Sequence, residues 1–168
     1  PFNKHLYIER EDFKEEANRK FFRLTTGKEV RLKSAYIIKG TAVVKNDSGK
    51  IVEILCEYDP KSKSGSGTEE SLRKVKGTLH WVTQKESINI TVNSYDRLFK
   101  EEAPGSNEKV DFLEDINPDS LKIVQAKAEP SLRQVLPGDT FQFQRKGYFT
   151  ADKKSKADNI VFNKTVGL

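Results

Sequence analysis

Residues 34–59 read SAYIIKGTAVVKNDSGKIVEILCEYD: two β-branched, apolar runs, SAYIIKGTAVVK and KIVEILCEYD, flank the tetrapeptide NDSG (Asn46–Gly49). Valine and isoleucine suit a pleated surface, and a glycine at the end of the turn takes the positive φ it needs, so the stretch reads as a β-hairpin. The same signature recurs outward along the chain, in RKVKGTLHWV (Arg73–Val82), SINITVNSYD (Ser87–Asp96), SLKIVQAKAE (Ser120–Glu129), TFQFQRKGYF (Thr140–Phe149) and NIVFNKTV (Asn159–Val166). Helical periodicity is confined to EDFKEEANRKFF (Glu11–Phe22), where Glu11 and Asp12 would favour the positive helix start, and to a single turn in VDFLEDI (Val110–Ile116). The fold class is therefore all-β, with a few short helices. Two polar loops, Asp59–Ser71 and Lys100–Lys109, divide the strands into groups that suit two small β-barrels better than one large sandwich.

The chain has 168 residues, 35% of them hydrophobic, enough for one substantial domain or two small ones. Thirty Lys and Arg against 25 Asp and Glu give a net charge of +5, a mild excess that suits a polyanionic partner as well as an ordinary solvated surface. Cys56 is the one cysteine, which excludes an internal disulfide framework and a cysteine-based zinc site; its setting in IVEILCEY predicts a small buried side chain in a reducing compartment. Nothing in the first residues resembles a signal peptide and no run has membrane-spanning length, so a cytoplasmic location is expected. The absence of methionine throughout suggests a piece of a longer chain.

Catalytic chemistry is hard to place on these residues. His5 and His80 lie far apart and lack companion cysteines, and alternation would put His80 and Trp81 on opposite faces of a strand. KSKSGSG lacks the closing Gly-Lys-Ser/Thr of a phosphate-binding loop and reads as a flexible connection, while the Glu pairs 15–16, 69–70 and 101–102 sit in solvated surroundings. What remains is a set of basic and planar polar side chains: Arg10, Arg31, Arg73, Lys74, Lys76, Gln142 and Arg145. Arginine and glutamine can each contact a base edge through two hydrogen bonds, and single-stranded RNA leaves its Watson–Crick edges open to them. The same residues would equally serve to solvate the polar face of a sheet.

Six segments carry a resemblance: LYIEREDFKEEANRKFFRLTTGKEVRLKSAYIIK (Leu6–Lys39), RKVKGTLHWV, YDRLF (Tyr95–Phe99), AEPSL (Ala128–Leu132), FQFQRKGYF (Phe141–Phe149) and VFNKTVGL (Val161–Leu168). In this order, and over almost the whole chain, they resemble the C-terminal anticodon-binding region of bacterial glutaminyl-tRNA synthetase. The resemblance implies two barrels of the ribosomal protein L25-like kind: a proximal one over residues 1–97, a distal one over 98–159, and a return strand over 160–168 pairing with the proximal barrel. It implies that Arg10, Gln142 and Arg145 converge on the central anticodon uridine, that Arg73 reads the third base, and that Lys74 and Lys76 hold phosphates or flank that pocket. For Gln142 and Arg145, three residues apart, joint contact with one base requires a bend in the strand, with Gly147 the residue to permit it.

The resemblance further implies a partner, the anticodon loop of glutamine tRNA, and no DNA or membrane partner. The expected species is a monomer whose catalytic domain, using ATP with magnesium, belongs to the same polypeptide ahead of this region; the region itself would hold no cofactor, metal or catalytic residue. Members of the family continue past the position of Leu168 with an arginine and a short tail, so weaker RNA binding is expected here. A glutamyl-tRNA synthetase of archaeal or eukaryotic type, an L25-like ribosomal RNA binder and a protein-interaction β module are the other readings.

Overall fold

The computed structural model describes residues 2–106 and 111–167. The chain forms two compact units, residues 1–85 and 86–168, each with its own apolar core.

In the first unit the hairpin forms as its sequence dictates. Ile37–Lys45 (β3) and Ile51–Asp59 (β4) pair antiparallel, and the Gly49 amide donates to the Asn46 carbonyl at 2.8 Å to close the turn. Glu29–Leu32 (β2) pairs antiparallel with β3 and parallel with Thr78–Leu79 (β5), giving the order β4-β3-β2-β5. Leu6–Ile8 (β1) and Trp81–Thr83 (β6) form a separate two-stranded ribbon. Alternation decides which side chains enter the core: Val30 and Leu32 are buried and Arg31 between them is not, and Phe13, Leu24, Ala35, Ile38 and Leu79 complete the cluster. β4 is an edge strand with most of its residues exposed, and Cys56 lies exposed on it, where its apolar context predicted burial.

The expected helix over Glu11–Phe22 does not form. A single 3-10 turn, Arg10–Asp12, is followed by an irregular excursion that returns to pair Phe13 with Leu24 in a parallel bridge. A continuous helix would hold Asp12 and Arg23 about 16 Å apart at 1.5 Å per residue. Instead the chain doubles back, and the Arg23 guanidinium meets the fully buried Asp12 carboxylate while Phe13 and Leu24 enter one core. Tertiary burial has overridden local propensity.

The second unit is one five-stranded sheet in the order β8-β7-β11-β10-β9, from Ile88–Tyr95 (β7), Leu121–Ala128 (β8), Thr140–Phe143 (β9), Gly147–Ala151 (β10) and Ile160–Val166 (β11). All neighbours are antiparallel except β7 and β11, whose parallel pairing runs from Ile90↔Ile160 to Asn93↔Asn163. The core collects Ile90, Phe149, Ile160 and Phe162, with Phe143 stacked on Phe149 at 4.5 Å between ring centroids. β7 thus belongs with the second unit. The return strand pairs with it there, and the boundary falls between Lys85 and Glu86 instead of after residue 97. The all-β expectation holds, but as open sheets: β8 and β9 remain the two ends of theirs, as β4 and β5 do of the other. Part of the loop expected over Lys100–Lys109 lies outside the described residues, and the turn expected in VDFLEDI is the 3-10 segment Phe112–Asp115. No helix among the described residues is long and apolar enough to cross a membrane.

Candidate nucleic-acid interface

The excursion between Phe13 and Leu24 is closed at its base by backbone bonds, Lys14 N–H to the Leu24 carbonyl at 3.2 Å and Leu24 N–H to the Asp12 carbonyl at 3.0 Å. Its tip turns on Asn18, which accepts from the Lys20 amide at 3.0 Å through its side chain and from the Phe21 amide at 3.1 Å through its carbonyl. The turn carries Arg19, Phe21, Phe22 and Arg23 to one side of a cavity of about 240 Å³, which Lys28, Glu29, Lys76 and Gly77 complete. Four cations, two phenylalanine rings and one carboxylate therefore face the same space. Lys76 Nζ stands 5.2 Å from the Phe22 ring centroid and Lys14 Nζ 5.1 Å from that of Phe21, cation–π contacts that hold charge beside the ring faces. Gly77 is required at the rim, because a Cβ there would lie 2.4 Å from the Phe22 carbonyl oxygen.

Arg73 ends the short helix Glu69–Leu72 (α1), and its guanidinium forks onto Glu29: Nη1 donates to Oε2 and Nη2 to Oε1, the latter at 3.2 Å. Asp59 Oδ2 lies 3.6 Å from Nη2. The hydrogen bond to Glu29 is the main cause holding the Arg73 pKa above its ordinary value, with the two carboxylate charges adding to it. Arg73 thus neutralises the one carboxylate that lines the cavity. Lys74 is exposed, as is Lys76 at the cavity rim.

In the second unit FQFQRKGYF is a hairpin and not one strand. β9 ends at Phe143, Lys146 N–H donates back to the Phe143 carbonyl at 2.9 Å, and β10 begins at Gly147. Gln142 lies exposed on β9 opposite Tyr148, and Arg145 occupies the turn in the left-handed region with φ 65°. Gly147 has φ 134°, and a Cβ on it would meet the Val166 carbonyl oxygen at 2.2 Å. Gln142 and Arg145 thus belong to one hairpin, the first on its strand and the second in its turn.

Arg10 opens the 3-10 turn of the first unit and is exposed. The first unit thus holds Arg10, Arg73, Lys74 and Lys76, and the second holds Gln142 and Arg145. Sequence reading missed Arg19, Phe21, Phe22, Arg23 and Lys28, which make up most of the cavity wall. For all but Lys28 the signal lay in the two phenylalanines set between basic residues in NRKFFR (Asn18–Arg23), most of which the helical reading absorbed. Among the described residues no group of three or more His, Cys, Asp or Glu side chains is arranged to hold a metal ion.

Comparison with known proteins adds to this geometry. Residues 1–59 and 78–152 each match a family model described as the anti-codon binding domain of class I tRNA synthetases (E and Q). A glutamine–tRNA ligase from Rhodopirellula baltica is 50% identical over the whole of this chain, and those from Proteus mirabilis and Salmonella paratyphi B are 49% and 47% identical. The chain spans 28% of the first and 30% of each of the others, less than a third of their length.

Proposed function

Because the chain belongs to the anticodon-binding domains of the class I tRNA synthetases for glutamate and glutamine, we propose that it reads the anticodon loop of glutamine tRNA for a longer ligase that joins glutamine to that tRNA with ATP and magnesium. The observation that carries this reading is the cavity of about 240 Å³ walled by Arg19, Arg23, Lys28 and Lys76 together with Phe21 and Phe22. Cations attract the phosphate backbone and ring faces accept an unstacked base, the combination single-stranded nucleic acid requires. The cavity falls just below the roughly 300–1,000 Å³ of pockets for drug-sized ligands, which suits one base and not a longer stack.

In this reading Lys28, Lys74 and Lys76 supply attraction that ignores sequence, and Arg73, held on Glu29, contacts the base edge from beside it. Gln142 and Arg145 form a second reading element, the amide and the guanidinium each able to make paired hydrogen bonds to a base. A non-glycine backbone in the left-handed region, as at Arg145, is strained, and such strain collects at binding sites, where function maintains it. Arg10 supplies a further cation from the first unit. The working species is a monomer acting beside the catalytic part of its own polypeptide.

The test is binding of stem-loop RNAs carrying glutamine anticodons, compared with glutamate anticodons and with each anticodon base changed singly. Tighter binding of the glutamine loops is expected, with each lost base contact costing about 1–3 kcal/mol. Arg73→Ala and Arg145→Ala should lessen that preference. Equal affinity for all loops would leave only a phosphate-binding surface, and preference for the glutamate loops would reassign the tRNA.

A further inference from the structure

Residues 59–73 read as a flexible Gly/Ser-rich loop, yet they are fastened at many points, and Arg31 is at the centre of the fastening. Its Nη1 donates to the Ser62 carbonyl at 2.9 Å and to Ser64 Oγ at 3.3 Å; its Nη2 donates to the Ser71 carbonyl at 3.0 Å and to the Arg73 carbonyl at 3.1 Å. One guanidinium on β2 thereby holds both arms of the loop. The near arm is set further by Ser62, whose Oγ accepts from the Ile37 amide at 2.8 Å and donates to the Asp59 carbonyl at 2.6 Å. The far arm ends in Arg73, whose own guanidinium forks onto Glu29. Glu29 is the single carboxylate in the wall of a cavity otherwise lined by cations and phenylalanines.

We propose that Arg31 is a positioning residue for RNA binding: by holding the Arg73 backbone it keeps the Arg73 guanidinium on Glu29, so that the cavity presents no uncompensated negative charge to a nucleic acid. This rests on the RNA-binding reading above. Arg31 acts through Arg73 and does not itself touch the ligand, since four protein acceptors occupy the N–H groups of both its terminal nitrogens. The fork geometry matters more than the charge. Lysine, a point charge with a flexible stem, cannot reach acceptors on both arms at once.

The experiment measures binding of a glutamine-anticodon stem-loop to the wild-type chain, Arg31→Gln and Arg31→Lys, each also in a Glu29→Gln background, with hydrogen exchange followed in all six proteins. Both Arg31 variants should bind about three- to tenfold more weakly, the range of a one-site coupling, with exchange accelerated over residues 60–73 and unchanged in β3. In the Glu29→Gln background, with no carboxylate left to neutralise, the same changes should cost less than about twofold, a non-additive cycle. An equal loss in both backgrounds would show that Arg31 touches RNA directly, and an unchanged affinity would show that loop posture is irrelevant; either overturns the proposal. Loss of protection throughout β2, β3 and β4 would also overturn it, by making Arg31 a residue of the fold and not of the loop. Failure of the wild-type chain to bind removes the RNA reading itself, a result separable from the other three.

Discussion

Asp12 and Arg23 show how a single pair can decide the course of twelve residues. Asp12 is fully buried, and its carboxylate would be costly there without a charged partner. Arg23 supplies that partner while remaining partly exposed, with 35% of its side-chain surface accessible, at the wall of the cavity. The two ends of the pair are therefore unequal. Arg23→Ala would withdraw the guanidinium from a carboxylate with no access to water, and removing one partner of a buried pair costs about 3–5 kcal/mol. The solvent that reaches Arg23 screens the pair, and Asp12 keeps other contacts, so the expected loss is smaller, about 2 kcal/mol. Trp81 is the sole tryptophan and lies in the first unit, so its fluorescence in a urea titration follows the unit concerned. A midpoint equal to that of the wild type would mean that Asp12 is satisfied without Arg23, and that the excursion owes its shape to Phe13 and Leu24 alone.

At the scale of elements, the strands were legible wherever burial has a period of two. The SAYIIKG–VEILCEYD hairpin, Ile88–Tyr95 and Ile160–Val166 formed where alternation and turn residues placed them, because side chains pointing to opposite faces leave that pattern directly in the sequence. Glu29–Leu32 was passed over despite the alternation of Val30, Arg31 and Leu32, since four residues are too short a run to stand out from their charged surroundings. The cavity was illegible for a different reason: its wall comes from residues 19–23, 28–29 and 76–77, and their meeting depends on long-range closure that no local period encodes. Gln142 and Arg145 were legible as residue types, but the turn that joins them was not, because a non-glycine residue with positive φ is disfavoured and sequence reading discounts it. That turn permits a test in which stability and binding move apart. Asparagine tolerates the left-handed region better than arginine, so Arg145→Asn should leave the thermal midpoint unchanged or raised while weakening RNA binding. Gly147→Ala should do the reverse of the first effect: a Cβ 2.2 Å from the Val166 oxygen must push β10 from β11, lowering stability by at least about 2 kcal/mol. Loss of stability in Arg145→Asn would show that the arginine serves the hairpin and not the ligand.

On the scale of the whole molecule, a net charge of +5 is too small to discriminate between nucleic acids, yet large enough to draw them in. Phosphate contacts and base contacts respond differently to salt. Each phosphate neutralised releases counterions, so the logarithm of the binding constant falls with the logarithm of salt at a slope of about −0.7 per contact on single strands. If Arg19, Lys28, Lys74 and Lys76 each meet a phosphate, the slope for an anticodon stem-loop should be about −3, and Lys74→Ala should make it shallower by about 0.7. Base reading adds hydrogen bonds without displacing further ions. Cognate and non-cognate loops should therefore give parallel lines, separated by a constant free energy across the salt series. Lines of different slope would require the cognate loop to engage additional phosphates, and discrimination would then arise from how the backbone is seated. A flat line for every loop would mean that the cations of the cavity wall meet no phosphate at all, and the attraction assigned to the lysines would have to be withdrawn.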